Sequence, residues 1–227
     1  MSSQIHHAAR ASDGSAVISS AWIKFAHRQS WRHCMNREQS KPTGTRGWRS
    51  IVEHHRITLS AVFVLFALVF AQPTRSSLLW GLPWVVLGEA LRIWASGHIH
   101  KMAEVTRTGP YALCRHPLYL GHALITTGFL IASANAWLLL AGLAVFAMIF
   151  VPTMDREEQD LLREFSDEYR RYMEQVPRFF PRLNARGLGA GSFDWALVSR
   201  HREWNNVLGL FGGLVCMVLL GWLRGSF

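Results

Sequence analysis

The chain has 227 residues, half of them apolar, and a formal net charge of +9 from 24 Lys and Arg against 15 Asp and Glu. So basic a chain raises nucleic-acid binding, but its Arg residues are divided among segments that border apolar blocks, and no recognisable nucleic-acid module accompanies them. Cys34, Cys114 and Cys216 stand in three separate segments without CxxC spacing, so neither a disulfide framework nor a zinc site is implied.

Residues 1–50 hold two acids, Asp13 and Glu38, against eight Lys and Arg, and no continuous apolar core. The composition predicts a basic arm, disordered or lying on a surface, or a transit peptide. Within it Ile18, Trp22 and Phe25 share one face of a short amphipathic stretch, Val17 to Phe25, and Met35 is an alternative start. Apolar blocks follow. Between Ile57 and Gln72 only Thr58, Ser60 and Gln72 are polar, and Trp137 to Pro152 contains no ionisable side chain. Blocks of this kind read as membrane spans near the lower length limit, and the expected spans are 56–72, 78–98, 118–134, 136–153 and 205–223. A soluble domain this small has no room to wrap five such helices in polar ones.

The expected fold is therefore all-α: a polytopic helical membrane protein with about five transmembrane helices. Its parts are a basic arm at 1–50, a membrane core at 51–185, and at 186–227 a linker with an additional C-terminal helix. Of the 24 Lys and Arg, 21 then lie before the first span, in the 99–117 loop or in the 154–204 segment. The positive-inside rule makes these segments cytosolic, in what is expected to be a cytoplasmic membrane.

Ser133–Ala134–Asn135 is short enough to force an antiparallel hairpin of spans three and four, with Gly121, Gly128 and Gly142 expected to let those helices approach closely. Beyond the fourth span, Leu161, Leu162, Phe165, Tyr169, Tyr172 and Met173 recur near helical spacing and predict a cytosolic amphipathic helix over 155–175. Val176–Pro177 ends it, Pro181 marks an exit loop, and the run Gly187 to Gly191 reads as a linker.

Two constellations carry chemistry. The first is Gly109–Pro110–Tyr111–Ala112–Leu113–Cys114–Arg115–His116–Pro117–Leu118–Tyr119–Leu120–Gly121. It puts a turn, a cation, an imidazole and two phenols at the cytosolic mouth of the third span, with Gly121 thinning the helix where a ligand can lie against backbone. A plain positive-inside anchor with interfacial aromatics needs no such fixed order. Cys114 beside Arg115 and His116 is either a thiol of depressed pKa or a passive small residue. The second is Arg156–Glu157–Glu158–Gln159–Asp160–Leu161–Leu162 with Phe165, Tyr169, Tyr172, Val176, Pro177, Arg178 and Pro181. A solvated face accounts for Asp160, Arg163, Glu164 and Arg170. The adjacent acids Glu157 and Glu158 suit the start of a cytosolic helix, and they also face the Arg115–His116 motif.

At these residues the sequence resembles the isoprenylcysteine carboxyl methyltransferase and phospholipid methyltransferase superfamily of membrane enzymes. The resemblance covers about residues 85–181: Leu91–Arg92, GPYxxxRHPxYxG, EExxL, FxxxY and YxxxVP. Gly97 to Lys101 and Arg202 to Asn205 look similar to a prokaryotic-type branch. The resemblance implies an S-adenosyl-L-methionine site. Tyr111, Arg115, His116, Tyr119, Gly121, Glu157 and Glu158 would bind the cofactor, and Glu158, Arg156 and Arg92 would be catalytic. A sulfonium needs aromatic faces, and its amino-acid end needs charged partners. Glu158, eleven residues before Tyr169, occupies the position of the family's functional glutamate. The implied partners are membrane lipids and a lipophilic or lipidated acceptor, of the isoprenylcysteine carboxylate kind or a phospholipid amine. The chain departs from the family at Thr153, where a basic residue is usual and Arg156 is the nearest substitute, and at Ser166, where glycine is usual. Residues 1–34 carry none of these motifs and are expected to be dispensable for cofactor binding.

Three other readings compete. A metalloenzyme would use His98, His100, His116 and His122, in a looser cluster than membrane di-iron sites need. A sterol-reductase-like enzyme would need a nicotinamide phosphate site. A non-catalytic scaffold leaves Glu89 and Arg92 unexplained, because ionisable groups within a span are costly unless paired or functional.

Overall fold

Every apolar block marked in the sequence is helical. The computed structural model describes residues 48–99, 104–182, 191–201 and 203–226, and among these there are helices, turns and no strand. The basic arm with its Val17 to Phe25 stretch and Met35, and the linker residues 187–190, lie outside the described residues. In chain order the helices are α1 (Trp48–Phe70), α2 (Arg75–Ser96), α3 (Pro117–Ala132), α4 (Ala136–Gln175), α5 (Trp195–Arg200) and α6 (Glu203–Leu223), with a 3-10 turn at Gly109–Ala112.

Among the described residues, α2, α4 and α6 are long and apolar enough to cross a membrane. α3 has 16 residues, about 24 Å at 1.5 Å per residue, which is short of hydrocarbon about 30 Å thick. The described apolar part of α1 is Thr58–Phe70. Three helices rather than five therefore meet the requirement by length and composition.

One end of the bundle is tied together by caps. Thr74 and Ser77 form a reciprocal capping box at the start of α2, with Ser77 N donating to Thr74 Oγ1 at 3.1 Å and Thr74 N to Ser77 Oγ at 2.9 Å. Ser77 Oγ also donates to Ala132 O at 2.9 Å, and Gln72 N to Ser133 O at 2.8 Å. These bonds hold the α1–α2 connection against the α3–α4 connection. Asn135 caps α4 by accepting from Trp137 N and Leu138 N. Arg224, just past α6, donates to Leu68 O and Val69 O near the end of α1. Reporter fusions after residues 74 and 227 are therefore expected to give one common signal, and fusions after 105 and 190 the opposite one. A cytosolic signal at 227 alone would place the end of α6 on the wrong side.

α2 and α3 meet along a seam without side chains. A Cβ on Gly81 would stand 2.4 Å from Gly128 O, and one on Gly88 would stand 2.6 Å from Gly121 O. The reverse contacts, Gly121 to Gly88 O and Gly128 to Gly81 O, are both 2.7 Å. The spacing of seven residues on each helix puts both pairs on one face. This corrects the expected use of the glycines: Gly121 and Gly128 serve the contact with α2, while Gly142 alone faces α3, through Leu130.

The fourth span runs on through Glu157 and Glu158 as far as Ser166, where a kink joins it to the rest of the amphipathic helix, ending at Gln175. Glu157 and Glu158 thus lie inside α4 and not at a helix start, so a terminal dipole cannot account for them. The helix bends at Ser166, whose φ of 43° and ψ of −115° are a conformation suited to glycine. Ser166→Gly is expected to raise the melting temperature of the detergent-solubilised protein, with a gain on the order of 1 kcal/mol. An unchanged or lower melting temperature would count against strain at the bend.

Candidate active site

The site lies at the end of the bundle opposite the capped connections, where three stretches distant in sequence converge. The first is the Gly109–Ala112 turn. Gly109 has a φ of 58°, and a Cβ there would stand 2.7 Å from the His98 ring, so both backbone and neighbour require glycine. Pro110 and Pro117 pack fully buried and fix the path between turn and α3. The second stretch is the segment after α4. It returns along the motif, with Arg115 N donating to Pro177 O at 2.9 Å, His116 N to Arg178 O at 3.2 Å and Arg182 N to Leu113 O at 3.0 Å. The third is the inner face of α4, which presents Glu158, Tyr169 and Tyr172, all buried.

Glu158 is the centre. Its Oε1 accepts from His116 Nε2 at 2.9 Å and lies 3.1 Å from Arg115 Nη1 and 3.4 Å from Arg178 Nε. Arg178 also pairs with Asp155, one turn earlier on α4. Burial pushes the Glu158 carboxyl up, but the His116 hydrogen bond and the two guanidiniums outweigh it and hold the group below its ordinary value of 4.5. A depressed folded pKa contributes stability that is fully present above the unfolded value and is lost as pH falls through the folded one. The melting temperature is therefore expected to fall as pH drops below about 4.5, and Glu158→Gln should flatten this part of the profile. An equally steep profile in the variant would assign the loss to other carboxylates.

Tyr172 Oη donates to Tyr111 O at 2.7 Å, which ties α4 to the turn. Tyr111 and Tyr169 are buried, and among the described residues the Tyr111 hydroxyl has no hydrogen-bond partner; neither has Arg115 Nε. Burial pushes Tyr169 up to about 12 and the Cys114 thiol up to about 11. Cys114 is therefore a passive neutral thiol and no thiolate nucleophile.

A second cluster lies deeper, between α2, α3 and the start of α6. Arg92 Nη2 donates to Glu203 Oε2 at 2.9 Å, Asn206 Nδ2 donates to the same oxygen at 2.8 Å, and Arg92 Nη1 donates to His122 Nδ1. Arg92 Nε stands 3.7 Å from Glu89 Oε2. An aromatic row runs between the clusters: the Tyr119 ring lies 5.6 Å from His116 and 5.5 Å from Phe150, which lies 5.4 Å from His122.

The structure thus brings Arg115, His116 and Glu158 into direct contact, with Tyr111 and Tyr119 beside them. Glu157 is largely exposed and reaches only to 3.8 Å from His116 Nδ1. Arg156 lies exposed on α4, and Arg178 is the cation against Glu158. Arg92 belongs to the deeper cluster. The space a ligand would need at Gly121 is taken by Gly88 O and Arg92 Cγ, so the glycine serves helix packing. Sequence reasoning gave Arg178 no role, although its place directly after Val176–Pro177 marked it, and it overlooked Glu203 as the partner of Arg92. Of the four histidines, His98 bonds Trp94 O, His116 bonds Glu158 and His122 accepts from Arg92, so these three have separate partners; His100 lies outside the described residues.

Residues 81–168, which contain the first motif and the Glu157–Glu158 part of the second, match the phospholipid methyltransferase family. The chain is 32% identical over 176 residues to the cobalt-zinc-cadmium resistance protein CzcN of Cupriavidus metallidurans, covering 70% of this chain and 77% of that protein. It is also 32% identical over 149 residues to the nickel-cobalt-cadmium resistance protein NccN of Alcaligenes xylosoxydans xylosoxydans, covering 60% and 68%. No solved structure matches. The chain belongs to the phospholipid methyltransferase family.

The site suits the cofactor usual for such an enzyme. The buried Tyr111 hydroxyl and the Arg115 Nε have no hydrogen-bond partner among the described residues and can bond a polar ligand.

Proposed function

We propose that this protein is an S-adenosylmethionine-dependent methyltransferase of the cytoplasmic membrane, with its active site at the cytosolic face and a lipid-like acceptor. The observation that carries the reading is Glu158, which joins the two family motifs through His116 and Arg115 inside a buried cluster. When bound, S-adenosylmethionine would supply a sulfonium methyl that the acceptor's lone pair takes in line, while the carbon–sulfur electrons pass to sulfur; an amine acceptor reacts as the free base, its ammonium proton having first passed to water. The protein's share is positioning and exclusion of water. Arg115 with Tyr111 would hold the anionic end of the cofactor, and Tyr119 offers an aromatic face for its cation. Glu158 fixes Arg115, Arg178 and His116 in one geometry.

A carboxylate acceptor would need a cation of its own within the membrane. Arg92, the cation within α2, is already engaged by Glu203 and His122, and two carboxylates surround that one guanidinium. This balance favours an amine acceptor, as in phospholipid N-methylation, over the isoprenylcysteine type. The names of the two relatives point to metal-ion resistance as the setting, which we attribute to altered membrane lipid.

Calorimetry on the detergent-solubilised protein is expected to show binding of S-adenosylhomocysteine. A folded protein that binds neither this product nor the cofactor would overturn the reading, and binding of NADPH in its place would support the reductase.

A further inference from the structure

We infer that α6, which lies outside the family-matching segment, completes an acceptor subsite: Glu203 positions Arg92, and by doing so leaves the carboxylate of Glu89 open to the acceptor head group. This rests on the methyltransferase reading and adds residues to it.

The argument begins with one guanidinium and two carboxylates. Arg92 gives Nη2 to Glu203 and Nη1 to His122, and Asn206 bonds the Glu203 oxygen that receives Arg92. Its approach to Glu89 is through Nε, at 3.7 Å and without a hydrogen bond. Glu89 is buried, and among the described residues neither of its oxygens has a hydrogen-bond partner. A buried carboxylate left so is costly unless a donor reaches it. The shortage is not forced by α2 alone, because Glu89 and Arg92 stand three apart on one helix and would pair more closely if nothing else competed for the guanidinium. The competitor is Glu203, 111 residues later in the chain. The deeper cluster also adjoins the cofactor end, because the Tyr119–Phe150 row connects His116 with His122. An acceptor head group held at Glu89 would therefore lie beside the cofactor pocket. Glu203 touches neither substrate; it is a positioning residue.

The test uses the full chain reconstituted in vesicles in which phosphatidylethanolamine is diluted to varying degrees with phosphatidylcholine, with radiolabelled S-adenosylmethionine. Calorimetry of S-adenosylhomocysteine binding is run beside it. Glu89→Gln is expected to lower transfer at least about ten-fold while product affinity stays within about two-fold of wild type. Glu203→Gln is expected to raise the apparent KM for the lipid about ten-fold with kcat little changed, and Glu203→Asp to restore it. Retained product binding shows that the variants are folded. The inference is overturned if both variants transfer like wild type, or if Glu203→Gln weakens product binding as much as transfer, which is what a merely structural role would do. Wild type that binds the product but leaves phosphatidylethanolamine unlabelled overturns the role given to Glu89. Wild type that binds no product overturns the methyltransferase reading itself.

Discussion

Glu158→Gln is expected to lower methyl transfer at least about ten-fold, which corresponds to about 1.4 kcal/mol of transition-state stabilisation. The amide keeps the size of the side chain and can still accept from His116, so the substitution removes charge and little else. Arg115 and Arg178 then face each other across a neutral group, and the arrangement that one carboxylate oxygen imposes on three donors is lost. Glu157→Gln should do far less, because that side chain is nearly half exposed and stands 3.8 Å from His116. Adjacent residues on a helix are turned about 100° apart, so only one of the two can face inward. Initial rates with radiolabelled cofactor on equally stable variants decide the matter. A larger loss in Glu157→Gln would show that the register of α4 has been read wrongly.

Gly88→Val is expected to abolish the folded protein. A Cβ at this position would stand 2.6 Å from Gly121 O and 2.9 Å from Ile125 N, both backbone atoms that no rotamer change can move. Relief requires α2 and α3 to separate, at a cost on the order of 3 kcal/mol or more, and that also displaces Arg92, whose Cγ lies over Gly121. Size-exclusion chromatography in detergent should show loss of the monodisperse species. Gly209→Val is the control: nothing lies within 4 Å of a Cβ there, so the variant should behave as wild type. A well-folded Gly88→Val protein would show that the seam is looser than described.

The helices and the inward face of α4 were legible in the sequence because apolar blocks and the 3.6-residue repeat report burial directly. Glu158 could be singled out because it stands eleven residues before Tyr169, where the resemblance places the family's functional glutamate. The pairing of Arg92 with Glu203 could not be read, since no periodicity links residues 111 apart. For the same reason sequence distance favours Arg156, while the structure brings Arg178, twenty residues away, to 3.4 Å from Glu158. The glycines were seen as small but assigned to the wrong neighbour. A hairpin predicts that α3 and α4 are adjacent, and it does not say which face of α3 each will use. α3 reads as a span by composition, and its 16 residues are bounded by Pro117 at one end and the Ser133–Ala134 turn at the other.

The reach from Arg92 to Glu203 sets an order of events during biosynthesis. At ribosomal rates of about 5–20 residues per second, α2 emerges on the order of ten seconds before the carboxylate that will hold its guanidinium. In that interval Arg92 has Glu89, three residues back on the same helix, as its local counter-charge. The later arrival of α6 takes the guanidinium over. A nascent chain truncated before residue 203 would thus keep its two intramembrane charges paired with each other, and the acceptor end of the site would stay shut until α6 has been made.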